Sequence, residues 1–382
     1  MLKSVKLVLY PTREQEGLFR RFSGTSRFVY NMCLAYMIQQ YQDYGVTCKL
    51  SDLMSYIQDC KYSEEYAWLQ EVPEAVQKQA MKDLLTAYKL FFKKGKGFPK
   101  FKKKSREIPS FYQRTDKLHL DKKDLSKVKL TGVKEPVKFK CNSEIDLKSV
   151  MERPLNPRVK YDGKHWYLTI SYDLRSEHKK LTDEIIGVDL GIKNLAVVSS
   201  GVVYRNINKT RSVMQLEKRL KRLQRKVSKK YLLNKQGGKF VKTSNIIKLE
   251  QKIRLLHRRL SNIRDNYIHQ ITADLVKTKP NTIVIEDLNV SGMLKNRHLS
   301  KAVSQQCFYK FRQYLEYKCR FSGIKLILAD RFYPSSKKCS CCGEVKKFLS
   351  LHERVYKCSN CGLVLDRDFN ASLNLKNYAL PL

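Results

Sequence analysis

The chain has 382 residues, 42% of them hydrophobic, which is enough for two or more domains with cores of their own and argues against disorder throughout. Its 76 lysines and arginines against 36 acidic residues leave a formal charge of +40, far more than solubility requires, so a polyanionic partner is expected. A bilayer-spanning run of about 18 apolar residues is absent, and MLKSVKLVLYPTREQ lacks the apolar core and cleavage site of a signal peptide. The expectation is a soluble, cytoplasmic, nucleoid-associated protein with no membrane partner, which binds nucleic acid with steep salt dependence.

A strand over 5–9 runs into Pro11 and Thr12, and Thr12 and Gln15 have capping-box spacing before a helix bearing Leu18, Phe19 and Phe22. Gly24 is expected to break this from a second helix with Phe28, Val29, Met32 and Tyr36. A third helix follows Pro73, with Val76, Ala80, Leu84, Tyr88 and Phe91 as its core stripe. Next, KKGKGFPKFKKKSR (93–106) has eight basic residues in fourteen, interleaved with Phe98 and Phe101. It reads as a loop that lays cations on phosphates and aromatics on bases, with Lys100, Phe101, Lys102 and Lys103 as candidate contacts. Period-two stretches in 107–180, such as VKLTGVKEPVKFK and KHWYLTISYDL, predict antiparallel strands.

Three acidic residues stand in settings suited to metal-dependent phosphodiester cleavage. Asp189 and Glu286 each end a short apolar run, in IIGVDLGIKNLAV and TIVIEDLNV, where a carboxylate is costly unless used or paired. Asp368, in LDRDFNASLNL, sits near a predicted helix start, with Asp366 as its rival. After Asp189, strands over 195–198 and 202–205 give the opening meander of an RNase H-like fold, and a parallel strand over 282–285 would set Glu286 beside the first. Such carboxylates suit two Mg²⁺ ions about 3.5–4 Å apart. Between these strands, residues 209–264 hold 19 Lys plus Arg against two Glu, with leucine and isoleucine stripes at 3–4 spacing and Gly237-Gly238 at the turn. A helical hairpin with basic outer faces is predicted, and Arg219, Arg222, Arg258 and Arg259 are its candidate nucleic-acid contacts.

Cys339, Cys342, Cys358 and Cys361 form two Cys-x-x-Cys-Gly knuckles fifteen residues apart, the pattern of a structural Cys₄ zinc ribbon with one Zn²⁺ and no open catalytic position. Cys341 is surplus, since its spacing suits a knuckle less well than that of Cys342. Cys33, Cys48, Cys60, Cys141, Cys307 and Cys319 are scattered and read as reduced thiols.

With YPTREQEGLF, RFVYN, LFFKKGKGFPKFKKK, GVDLGIKNLAV, IVIEDLNVSGM, RFYPSSKKCSCCG and YKCSNCGLVLDRDFNASLNL together, the chain closely resembles TnpB over nearly its whole length. TnpB is the family of transposon-associated RNA-guided endonucleases related to type V CRISPR effectors. The resemblance implies an α+β multidomain fold. Its parts are a wedge strand (1–10), a helical recognition domain (11–92), a wedge β-barrel with the basic loop (93–180), a RuvC-like nuclease domain with the hairpin inserted (181–338), the ribbon (339–365) and a last RuvC segment (366–382). It maps the catalytic triad onto Asp189, Glu286 and Asp368, and the zinc ligands onto the four cysteines. It also implies a guide RNA from the element's right end, cleavage of double-stranded DNA beside a short adjacent motif, and a monomer in the RNA complex. Gln79 and Lys82 resemble the duplex-reading region, and Arg331 is a candidate for neutralising the scissile phosphate. Ser372 departs from the alanine common in relatives. Relatives that have lost acids act as guided DNA-binding repressors, and a non-cutting accessory protein of transposition is the other alternative.

Overall fold

The computed structural model describes residues 2–104, 107–141, 145–173, 180–350 and 352–379, and divides into two compact units, Met1–Leu174 and Arg175–Leu382. Ser105 and Arg106 of the expected basic loop, the 174–179 end of the expected β-domain and residues 380–382 lie outside the described residues.

The first unit opens with β1 (Leu2–Tyr10), whose alternation buries Val5, Leu7 and Leu9 on one face. Helix α1 (Arg13–Tyr44) starts at the anticipated Thr12–Gln15 capping box. It does not stop at Gly24. One 32-residue helix continues to Gly45, which closes it in the left-handed region at φ 67°. A glycine in a helix interior costs only about 1 kcal/mol, and buried Phe19, Phe22, Val29 and Leu34 outweigh it. Helix α2 (Leu50–Lys61), a 3₁₀ segment (Glu64–Glu71) and α3 (Glu74–Lys94) follow. Leu53, Ile57, Leu69 and Leu84 from these segments close a core on α1.

Strands β2 (Ser110–Tyr112), β3 (His119–Leu120), β4 (Lys127–Lys129) and β5 (Val137–Lys140), helix α4 (Leu147–Glu152), and strands β6 (Leu155–Tyr161) and β7 (Trp166–Asp173) complete the unit. With β1 at its centre they build a seven-stranded sheet in the order β2-β6-β7-β1-β5-β4-β3. Its two ends are not joined among the described residues, so the sheet is an open half-barrel. Phe19 and Phe22 of α1 and Val72 and Val76 pack on its apolar face with Phe111, Leu168 and Trp166. Arg158 of β6 grips Asp83 of α3 with two hydrogen bonds of 2.8 and 2.9 Å, tying helix to sheet.

In the second unit, β8 (Ile185–Leu190), β9 (Asn194–Val198) and β10 (Val203–Arg205) form an antiparallel meander. The chain then leaves the sheet through α5 (Arg211–Leu233), a small ribbon of β11 (Lys235–Gln236) and β12 (Lys239–Phe240), and α6 (Ser244–Lys277). Val213, Leu220, Leu256 and Leu260 form the seam of this hairpin, whose second helix outruns the expected end by thirteen residues. β13 (Thr282–Glu286) returns parallel to β8, pairing Thr282 with Ile185 through Ile285 with Val188. After α7 (Val290–Met293), α8 (Ser300–Gln306) and α9 (Phe308–Ser322), β14 (Lys325–Ala329) extends the sheet in parallel. Its order is β10-β9-β8-β13-β14. β8 and β13 are almost wholly buried, as parallel strands covered on both faces must be. Two short strands, β15 (Val355–Lys357) and β16 (Val364–Asp366), precede the closing α10 (Arg367–Tyr378).

Helix α10 lies unusually close to β8. A Cβ at Gly187 would fall 2.0 Å from the Ser372 carbonyl oxygen and 2.4 Å from the Lys376 backbone nitrogen, so only glycine fits there. Ser372 is fully buried and turns its hydroxyl back to Phe369 O at 2.7 Å.

Candidate active site and metal centre

The close packing of α10 on β8 brings its first turn to the carboxyl ends of β8 and β13. Asp189 there is 9% exposed, and among the described residues no group hydrogen-bonds its carboxylate. Burial first, then the charges of Glu286 and Asp368, push the Asp189 carboxyl well above the ordinary range. Glu286 is also pushed up by burial, against a hydrogen bond from Ser335 and the charge of Arg367. The Ser335 hydroxyl donates to Glu286 Oε1. Asp368, on α10, has Arg354 Nη1 at 3.8 Å. Its rival is otherwise engaged: Asp366 is the N-cap, accepting from the Asp368 and Phe369 backbone N–H groups at 2.9 and 3.1 Å. Asp189 thus senses the charges of Glu286 and Asp368, but the oxygens of the three acids do not all approach within 4.8 Å, a closeness that only the four cysteines reach among the described residues.

Beside Glu286, Asp287 is shared by two guanidinium groups, Arg312 Nη1 on Oδ1 at 2.8 Å and Arg331 Nη2 on Oδ2 at 2.6 Å. The Arg331 hydrogen bond, with the charges of both arginines, holds Asp287 below the usual carboxylate range. Arg331 therefore stands at the rim of the acidic site already engaged in an ion pair, with its side chain 48% exposed.

The cysteine cluster has the geometry of paired knuckles. Gly343 N–H donates to Cys339 O and Gly362 N–H to Cys358 O, at 3.0 and 3.2 Å, both glycines having positive φ. The sulfurs of Cys339 and Cys361, and of Cys342 and Cys358, are 3.6 Å apart. Disulfide sulfurs would be about 2.05 Å apart, whereas Zn–S bonds of about 2.3 Å in a tetrahedron put sulfurs about 3.8 Å apart. The Glu344 backbone N–H draws Cys342 down to about 6. Cys361, although a Leu363 N–H favours its thiolate, is pushed up to about 12 by burial and the adjacent sulfurs. Four sulfurs this close can all be thiolates only with a compensating cation, and the donor set fits zinc. Cys341 is exposed and outside the cluster.

Two residues not anticipated from sequence join this cluster to α10. Asn370 Nδ2 donates to Lys338 O at 2.8 Å and its Oδ1 accepts from Ser340 N–H at 3.0 Å. One turn on, Asn374 donates to Ser335 O and Lys338 O at 2.8 and 2.6 Å. Both asparagines are buried, so their amides are committed to the first knuckle and its approach.

The candidate nucleic-acid residues divide into free and engaged groups. Lys82, Lys100, Phe101, Lys103, Arg219, Arg222 and Arg259 are exposed. Gln79 donates to Asp83 at 2.9 Å, and Arg258 is half-buried. Lys102 exchanges two backbone hydrogen bonds with the Asn31 side chain, at 2.7 and 2.9 Å, and lays its ammonium 3.8 Å from the Tyr30 ring centroid. Burial pulls Lys102 below the usual lysine range, so it anchors the loop to α1.

Comparison with known proteins places this architecture. Residues 308–375 match the "Cas12f1-like, TNB domain" family, residues 169–297 a family described as "Probable transposase", and residues 1–45 a "Helix-turn-helix domain" family. A Streptomyces pristinaespiralis protein, named a candidate RNA-guided DNA endonuclease, is 31% identical over 98% of this chain and 88% of its own length. InsQ of Escherichia coli strain K12, named likewise, is 29% identical over 98% of this chain and 91% of its own. Among solved structures, Cas12f1 in a complex with single guide RNA and target DNA superposes with a TM-score of 0.62 at 17% identity, covering 96% of this chain and 83% of that one. The half-barrel, the mixed sheet and the cysteine cluster are thus an α+β multidomain fold of the Cas12f kind, and the chain belongs to the TnpB family, relatives of the type V effectors.

Proposed function

We propose that this chain is an RNA-guided DNA endonuclease of a transposon, cutting double-stranded DNA next to a short adjacent motif at a RuvC-like site made of Asp189, Glu286 and Asp368. The observation that carries the reading is the buried, unpaired Asp189 at the end of β8, held at high proton affinity beside two further acids from a parallel strand and a helix start. A meander followed by parallel strands on one side is the order of an RNase H-like sheet. We read the helical layer 11–92 as a recognition domain, strand 1–10 and residues 93–180 as the wedge, 181–338 with 366–382 as the nuclease and 339–365 as the ribbon.

Three carboxylates, all oxygen donors, are a set that hard dications accept, so two Mg²⁺ ions would be held here. When bound, they would supply a water nucleophile at neutral pH and charge for the attacking and leaving oxygens. Ser335 fixes one oxygen of Glu286 and so orients the other. The zinc in the ribbon is structural. A guide RNA from the transposon's right end would pair with the target strand, while the protein grips the heteroduplex by charge and shape. The loaded complex is expected to be a monomer acting on cytoplasmic DNA.

The test is to purify the chain with its retained RNA, sequence that RNA, and present matched plasmid DNA with Mg²⁺ or EDTA. Guide-dependent cutting that EDTA stops and Asp189→Ala abolishes, with guided binding intact, is the expected result. Guided binding by the parental protein without cutting in Mg²⁺ refutes the enzyme.

A further inference from the structure

A second recess adjoins the acids and has no part in holding them. It is a cleft of about 300 Å³, at the bottom of the range of about 300–1,000 Å³ for small-molecule sites, with room for one nucleoside. Leu190 and Phe308 give it apolar lining, and Glu286, Asp287, Arg312 and Arg331 are its charged lining residues. Tyr309 also lines it while remaining 63% exposed, and among the described residues no aromatic ring stacks on it.

The chain is held in an unusual shape to present that ring. Between α8 and α9, Cys307 takes the left-handed conformation at φ 54°, uncommon for a residue with a side chain. Such an outlier persists only where its surroundings over-determine it. They do: Gln306 is 2% exposed and donates to Gly191 O and Ile192 O at 3.0 and 3.1 Å, fastening the junction to the loop that follows Asp189. Phe308 is then buried and Tyr309 turns to the cleft. One carboxylate shared by two guanidinium groups leaves one net positive charge on that trio, which balances the carboxylate of Glu286 in the same lining. Each arginine keeps N–H donors beyond those given to Asp287.

We infer that this cleft seats one nucleotide of the cleaved DNA strand, its base against Tyr309 and its phosphate at Arg312 and Arg331. This rests on the endonuclease reading and adds to it a subsite that fixes the nucleotide beside the cut. Stacking is tolerant of base identity, so the seat selects an unstacked nucleotide and not a sequence.

The guide-loaded complex would be given target DNA with a single abasic nucleotide, moved one position at a time across the cut region of each strand. For the parental protein, cutting should slow about tenfold or more at one position beside a cut and little at its neighbours. Tyr309→Ala should cut intact DNA slower by the same factor and lose no more rate at that abasic position, whereas Tyr309→Phe, which keeps the ring, should restore the sensitivity to that abasic position. A flat abasic scan by a complex that cuts intact DNA overturns the seat and leaves the enzyme standing. So do losses from Tyr309→Ala and the abasic nucleotide that multiply, since the two would then not touch. Failure of the parental complex to cut intact DNA, with guided binding preserved, overturns the endonuclease reading and the seat with it. Tyr309 is on the surface, and an unchanged melting temperature of Tyr309→Ala keeps a folding defect from passing as a stacking loss.

Discussion

Two partly or wholly buried carboxylates meet opposite fates, and their surroundings explain both. Burial alone would raise Asp83, yet the two-pronged grip of Arg158 and the amide of Gln79 reverse the sign and hold it below the ordinary range. Asp189 lacks such donors and is raised. For Asp83 the folded form binds its proton less tightly than the unfolded chain, so the pair's stabilisation is fully present above about pH 4 and is lost as pH falls through the folded value. Asp83→Asn should cost about 1–2 kcal/mol at pH 7, discounted because both side chains are about a third exposed. In urea titrations at stepped pH, its gap to the parental protein should close below pH 4. A constant gap down to pH 3 would mean the charge is not what stabilises. Asp189 and Glu286 were legible from sequence because a carboxylate ending an apolar run stands out. Ser335, Asn370 and Asn374 were not, because their partners lie 30 to 49 residues away, and short polar residues carry no periodic signal.

Helix α10 is held by shape on one side and by amides on the other. Against β8 it needs a bare Cα, and Gly187→Ala should cost about 3 kcal/mol, because the new methyl would meet backbone atoms at 2.0 and 2.4 Å rather than flexible side-chain ends. An unchanged urea midpoint would show that the helix can slide away freely. Against the knuckle it is held by Asn370 and Asn374, so the four-cysteine cluster and the acidic site share one support. Stripping zinc with a strong chelator should speed amide exchange in the two knuckles and in the first turn of α10, and leave the β1–β7 sheet protected. Equal loss of protection in that sheet would argue that the ribbon is no local unit. The knuckles were plain in the cysteine spacing. The uninterrupted α1 was not, because Gly24 is a local stop signal and the buried residues that override it act through tertiary contacts.

A formal charge of +40 must be compensated by something, and the hairpin of α5 and α6 carries a large share of it, with 19 basic residues and two Glu over 209–264. Its apolar seam accounts for its folding, whereas the outward arginines have no structural role that the seam requires. Arg219, Arg222 and Arg259 are all exposed on it. If each meets a phosphate of bound RNA, each contributes about 0.7–0.9 to the slope of log affinity against log salt. Replacing all three with glutamine should therefore flatten that slope by about two to three, measured by fluorescence anisotropy on the retained RNA between 50 and 500 mM salt. Affinity at low salt should fall while the melting temperature of the free protein holds or rises, since self-repulsion is relieved. A slope unchanged by the triple substitution would move the polyanion to another basic surface, with Lys82, Lys100 and Lys103 the next to replace. A slope that flattens by the full amount would fix this face of the hairpin as one that carries the backbone of the RNA.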